Sequence, residues 1–162
     1  MMKIIIFTTG GSIDKIYSTQ VSNFIVGAPQ VERILNEGNV TFDYEVESLC
    51  RKDSLEMTAE DRRLVVEKAR AAEERHILIT HGTDTMIATA LALSEIPGKV
   101  IVLTGAMQPA AFKQSDAEFN IGFAIAALQT LPEGVYLAMN GRIFDPQRAR
   151  KNVAMDRFEE IG

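Results

Sequence analysis

Three short stretches of this sequence gather hydroxyls, glycines and carboxylates: "TTGGSID" (8–14), "THGTDTM" (80–86) and "TGAMQPAAFKQSD" (104–116). Glycine lets backbone N–H groups approach a ligand closely, and a helix start adds donors aimed at negative charge. A hydroxyl held on such a turn can serve as a nucleophile. Each stretch also has a plainer reading. "TGGS" can be a tight turn, and Thr83 and Asp84 can be ordinary helix N-caps. His81 faces a helix start, which suits a hydrogen-bonded structural histidine better than a base, and His76 reads as an edge or surface residue. With two histidines and no paired spacing, no metal site is expected. The Gly-x-Ser-x-Gly elbow, the Gly-x-Gly-x-x-Gly fingerprint and the Gly-Lys-Ser/Thr phosphate loop are all missing, so a serine-histidine-aspartate hydrolase and a nucleotide-binding protein are both disfavoured, and no cofactor is expected.

The elements around these stretches explain why they would converge. "KIIIFT" (3–8), "HILIT" (76–80), "KVIVLT" (99–104) and "GVYLAM" (134–139) are continuous apolar runs, the pattern of strands buried on both faces, and "VTFDYEVESL" (40–49) is a fifth strand. Helical patterns lie between them. "PQVERILNEG" opens on proline and closes on glycine, "TAEDRRLVVEKARAAEE" has a threonine cap and early acids, and "TDTMIATALALSE" and "SDAEFNIGFAIAALQT" begin with a hydroxyl and an aspartate. This alternation predicts a doubly wound α/β domain with about five mainly parallel strands and helices on both faces, binding ligands at the carboxyl ends of the strands. All three chemical stretches follow a strand. Residues 10–28 read as a long loop, and the tail from Asn140 as an irregular arm or short helix.

The totals favour one domain over 1–162, with 46% hydrophobic and 24% charged residues. A net charge of -5, 7% aromatic residues and no basic tract offer nothing to nucleic acid or an acidic membrane, which leaves small molecules or proteins as partners. The single cysteine, Cys50, rules out an internal disulfide and reads as a small buried hydrophobe. No apolar run suits a signal peptide or membrane span, so a cytoplasmic location is expected.

Taken together, "TTGGSIDK", "ITHGTDTM", "VLTGAMQPA" and "SDAEFNIGFAIAA", in this order and spacing, closely resemble the N-terminal domain of bacterial-type L-asparaginases and glutaminase-asparaginases. The resemblance runs from Lys3 to about Lys151. It implies that Ser12 occupies the position of the family's nucleophilic threonine and Thr83 that of its second catalytic threonine. It further implies that Asp84 binds the substrate's α-amino group, that Lys151 is hydrogen-bonded near that pair, and that Ser54 in "DSLEMT" holds the substrate carboxylate. Gly11, Leu55, Gly82, Ala106 and Met107 complete the substrate-binding candidates.

The sequence also departs from the family. Phe24, in "SNFIVG", lies where type II members carry a catalytic tyrosine, and Leu55 replaces a polar residue that helps bind the amino-acid head. The family's smaller C-terminal domain, which completes a neighbour's site, is absent from this sequence. The leading expectation is an asparaginase-like amidohydrolase acting on a small amide as a homo-oligomer, a dimer or larger. The alternative is a binding or regulatory module that holds an amino-acid-like ligand without turnover.

Overall fold

The computed structural model describes residues 2–162 and centres on a six-stranded sheet. β1 (Lys3–Gly10), β4 (Asp43–Lys52), β5 (His76–Thr80), β6 (Val100–Thr104) and β7 (Gly134–Met139) run parallel in the order β4-β1-β5-β6-β7. These are the five strands the sequence predicts. A sixth, β8 (Arg142–Phe144), pairs antiparallel with β7 through the Asn140–Gly141 turn, where φ is +53° and +69°. Such a two-residue turn matches the right-handed twist of the flanking strands.

The apolar runs divide by alternation. Ile4, Ile6, Leu78 and Val102 pack beneath α1 (Val31–Glu37) and α4 (Ala117–Thr130), whereas Ile5, Phe7, Ile77, Ile79 and Leu103 pack beneath α2 (Ala59–Ala71) and α3 (Met86–Ala92). A strand with both faces covered leaves no position for a polar residue, which is why its sequence is continuous rather than alternating. The expected cap on α2 is a full capping box: Asp61 N–H donates to Thr58 Oγ1 at 3.2 Å and Thr58 N–H to Asp61 Oδ2 at 2.8 Å.

Two regions differ from the sequence reading. Residues 10–28 are not a loop throughout: β2 (Lys15–Ser18) and β3 (Asn23–Val26) form an antiparallel hairpin, turned at Ser22 with φ +52°. The tail is neither irregular nor helical at its core, because β9 (Ala149–Asn152) pairs with β10 (Arg157–Glu160) in a second hairpin. Both are short and largely exposed, so no buried face imprints a period of two on their sequences. The tail hairpin is held by its own chemistry. Phe158 is buried, and its N–H donates to Asn140 Oδ1 at 2.8 Å. Glu159 accepts from Asn152, Arg157 and Arg150, and these hydrogen bonds pull its carboxyl down to about 2.

Candidate active site

The ends of β1, β5 and β6 meet at a floor made of glycine contacts. Gly10 and Gly11 have φ of +102° and +85°, which turns the backbone sharply after β1. A Cβ on Gly11 would lie 2.4 Å from Gly82 Cα, and one on Gly82 would lie 2.6 Å from Ser54 Cβ. A Cβ on Gly105 would lie 2.2 Å from the His81 carbonyl. These positions tolerate nothing larger than glycine, and that is what allows the backbones bearing Ser12, Ser54 and Thr83 to touch.

Ser12 opens a 3-10 turn, Ser12–Asp14, and is half-buried. Its hydroxyl makes no hydrogen bond among the described residues. The turn is fixed from two sides: Ala110 N–H donates to the Ile13 carbonyl at 3.0 Å, and Gly27 N–H to the Asp14 carbonyl at 2.8 Å. The Asp14 carboxylate is buried and accepts Gln30 N–H at 2.9 Å. Burial pushes its carboxyl up to about 7, opposed by the Gln30 hydrogen bond and the Arg51 charge.

After β5, His81 is fully buried, with Nδ1 2.7 Å from the Gly82 carbonyl and Nε2 2.7 Å from Thr89 Oγ1. A carbonyl only accepts, which places the ring proton on Nδ1 and makes Nε2 the acceptor of the Thr89 hydroxyl proton. Thr89 Oγ1 in turn accepts Arg62 Nε at 3.3 Å. Burial holds the His81 pKa down at about 4, and the Gly82 bond only partly offsets this. With both nitrogens spent, His81 is the structural histidine of the plainer reading.

The residues after it are not helix caps. α3 is capped at Thr85 without a side-chain bond, and Thr85 instead ties to Ser54: its N–H donates to Ser54 Oγ at 3.2 Å and its hydroxyl to the Ser54 carbonyl at 2.9 Å. Thr83 and Asp84 are free to turn toward the tail hairpin. There Lys151 Nζ donates to Thr83 Oγ1 at 2.8 Å and to Asp84 Oδ1 at 2.7 Å. Thr83 is buried and Asp84 exposed, so the lysine bridges the floor to the surface. The β9–β10 hairpin thus delivers one ammonium to the strand ends.

The remaining candidates flank this centre. Ser54 is buried against Gly82, while Leu55 next to it is 72% exposed. Between them and the first hairpin, Lys15 pairs with Asp53 at 3.0 Å. Burial pushes the Asp53 carboxyl up, but the Lys15 hydrogen bond, the Leu55 N–H and the charges of Lys15 and Lys151 outweigh it and hold it below its ordinary value. Ala106 is buried and Met107 half-buried in the loop after β6. Phe24 lies 5.6 Å from Phe112 of that loop and 5.5 Å from Tyr17 across its own hairpin.

Sequence reasoning passed over the residues that hold this loop. Asp116 accepts Met107 N–H at 2.9 Å and Gln108 N–H at 3.0 Å, and Asn120 Nδ2 donates to the Gly105 carbonyl at 2.9 Å. The Ser-Asp pair that resembles a helix cap is the signal for Asp116, but its carboxylate caps no backbone N–H of α4 and instead accepts from the loop and, at 3.1 Å, from the Asn120 side chain. Cys50 is half-exposed rather than buried, with Sγ donating to the Thr9 carbonyl at 3.3 Å. A separate apolar cavity of about 300 Å³ lies between α1 and α4, away from these loops. Among the described residues no group of acids, histidines and cysteine is placed to hold a metal, and no helix is long and apolar enough to cross a membrane.

A three-layer, mainly parallel sheet with hydroxyls, an aspartate and a lysine gathered at the strand ends defines an α/β protein whose candidate site lies at the carboxyl ends of its strands. Residues 3–161 match the family model described as asparaginase, N-terminal, and the protein belongs to the asparaginase family. It is 29% identical over 171 residues to a glutaminase-asparaginase of Pseudomonas aeruginosa, covering 94% of this chain and 46% of that protein. It is 36% identical over 105 residues to L-asparaginase 1 of Escherichia coli, covering 61% of this chain and 31% of that protein. The crystal structure of L-asparaginase I from Vibrio cholerae superposes with a TM-score of 0.83 at 28% identity, covering 99% of this chain and 54% of that one. The sequence thus spans about half or less of the length of the relatives it matches.

Proposed function

We propose that this protein hydrolyses a small amide, asparagine or a related compound, with Ser12 as nucleophile and Thr83, Asp84 and Lys151 as the activating relay. The observation that carries this is the contact of Lys151 Nζ with Thr83 Oγ1 at 2.8 Å and Asp84 Oδ1 at 2.7 Å, beside the Gly11–Gly82 junction that brings Ser12 to the same floor. Membership of the asparaginase family, with relatives named L-asparaginase and glutaminase-asparaginase, points to the same reaction class.

In this reading Ser12 Oγ attacks the carboxamide carbon as its proton passes by way of the Thr83 hydroxyl to the Asp84 carboxylate, which the Lys151 ammonium holds in place. The tetrahedral intermediate collapses, the C–N bond breaks, and the nitrogen leaves as ammonia with that proton. Water then cleaves the acyl-serine ester, releasing the acid and restoring the hydroxyl. Ser54, Leu55, Gly11, Gly82, Ala106 and Met107 wall the substrate. The protein works in the cytoplasm as a dimer or larger assembly, in which a second copy shields the open side of the crevice from water and strengthens its electrostatics. The exposed Leu55 and Phe119 support such a contact.

Ammonia release from asparagine, glutamine and simple acyl amides, measured for the parent and Ser12→Ala side by side, tests this. Release that falls to background in the variant supports it. No release from any amide by the parent would leave a ligand-binding module, and equal release by the variant would remove Ser12 as nucleophile.

A further inference from the structure

Asp14 closes the turn that carries Ser12, is 2% exposed, and has no part in the hydrolysis described above. Its carboxyl belongs to a closed ring of hydrogen bonds. Gln30 N–H donates to Asp14 Oδ1 at 2.9 Å, Arg33 Nε to Gln30 Oε1 at 3.1 Å, Arg33 Nη2 to the Ala110 carbonyl at 3.2 Å, and Ala110 N–H to the Ile13 carbonyl at 3.0 Å. The Asp14 carbonyl adds a second tie, from Gly27 N–H at 2.8 Å. The ring joins the Ser12–Asp14 turn, the return of the β2–β3 hairpin into α1, and the β6 loop. Asp14 is where the first two meet.

A carboxylate offers about four lone-pair sites, and among the described residues this one accepts only Gln30 N–H. The cations around it are largely committed elsewhere: Lys15 of the hairpin to Asp53 at 3.0 Å, Arg33 of α1 to Glu37 at 2.9 Å, and Lys52 of β4 to Asp61 at 2.8 Å. Glu32 of α1 and Lys113 of the β6 loop are exposed, and Asp116 of that loop is spent on Met107 and Gln108 N–H. Arg51 of β4 is the charge that acts on Asp14, and burial outweighs both it and the Gln30 bond, which raises the carboxyl to about 7. An acid buried on these terms keeps its place best when protonated. Once ionised it gains by reaching water, and the segment fastened to it must part from the turn to allow this.

We propose that Asp14 is a positioning residue for Ser12: its protonated carboxyl fastens the return of the first hairpin to the Ser12–Asp14 turn, and ionisation loosens that hold while the sheet stays folded. The proposal rests on the amidohydrolase reading for what Ser12 does, whereas the hold itself is read without substrate.

Amide hydrogen exchange, followed by mass spectrometry and corrected for the pH dependence of intrinsic exchange, is compared at about pH 5 and about pH 7.5 for the parent, Asp14→Asn and Asp14→Ala. In the parent, protection of peptides from residues 15–30 is expected to fall with rising pH by about tenfold more than that of the β5 peptide, because the parted form ionises across this range and the fastened form resists it. Asp14→Asn keeps an acceptor for Gln30 N–H and cannot ionise, so it should retain protection at both pH values, and Asp14→Ala should lose it at both. In ammonia release, Asp14→Ala should lower kcat by about tenfold more than Asp14→Asn does, with KM less affected. Parent protection that does not change with pH, a fall that Asp14→Asn shares, a fall no larger than that of β5, or equal kcat in the two variants overturns the proposal. If Asp14→Ala does not fold, the parent and Asp14→Asn exchange data decide. A parent that releases no ammonia removes the amidohydrolase reading and with it the role toward Ser12, and the exchange data still decide the hold.

Discussion

The floor and the rim of the crevice are built on opposite terms. The floor is backbone against backbone: Gly11 on Gly82, Gly82 on Ser54 and Gly105 on the His81 carbonyl, with Thr83, His81 and Ser54 buried among them. The rim sets apolar residues against water, with Leu55 72% and Phe24 45% exposed. A floor residue has one acceptable size, set by contacts below 3 Å, and changing it threatens the fold. A rim residue can be exchanged at almost no cost in stability, so the rim is where a family member can alter what it accepts without rebuilding the domain.

Substitutions should separate the two regions. The largest effect is expected at the floor, where Gly11→Ala or Gly82→Ala places a Cβ within 2.4 or 2.6 Å of neighbouring atoms. Each should destabilise by roughly 3 kcal/mol or more, read by urea denaturation, because the neighbour is backbone at Gly11 and a packed serine at Gly82. A Gly11→Ala protein as stable as the parent would break the comparison. Lys151→Ala comes next, with an expected loss of about 10²- to 10⁴-fold in kcat/KM for ammonia release and little change in melting temperature, since its partners stay folded without it.

Asp14 gives a pH signature of the floor. Its folded carboxyl is raised from 3.8 to about 7, so between those values the unfolded state has released a proton that the folded state still holds. Stability contributed by this group is complete below about pH 4 and is lost as the pH rises through 7. His81, lowered from 6.5 to about 4, has the opposite sign: the unfolded state binds the extra proton, and stability rises with pH across that window. Asp14→Asn keeps an acceptor for Gln30 N–H and removes only the first slope, so the variant should gain on the parent by about 1–3 kcal/mol between about pH 4 and 8 in chemical denaturation series. The smallest effect belongs to the rim. Leu55→Ala should change stability by less than about 0.5 kcal/mol, and a larger loss would mean that Leu55 is packed rather than presented.

Much of this was legible beforehand because burial leaves a strong imprint. The continuous runs of β1, β5 and β6 and the Thr58 cap are consequences of covered faces and unsatisfied helix ends, both local and periodic. Ser12, Thr83 and Asp84 stood out because hydroxyls and glycines follow those runs, although only the family resemblance raised Lys151 above an ordinary surface lysine in "RARK". What escaped notice lacks such an imprint. The β2–β3 hairpin buries no residue fully and the β9–β10 hairpin only Ala149 and Phe158, too few to set a period, and their pairing depends on turns at Ser22 and Asp156, where non-glycine residues adopt φ of +52° and +49°. Asp116 was hidden by its own plausibility as a cap, since a carboxylate beside a helix start reads identically whether it bonds forward to the helix or back to the loop.

The central claim is that the Ser12 hydroxyl attacks the amide carbon, and a trapped intermediate tests it most directly. The protein is mixed with an activated aryl ester of the preferred acid, quenched in acid, and examined by intact-mass and peptide mass spectrometry. The prediction is a mass increase equal to one acyl group, located on the peptide containing Ser12 and missing from Ser12→Ala. An acyl group on Thr83 instead, or none on any residue while ammonia is steadily released from the corresponding amide, would contradict it.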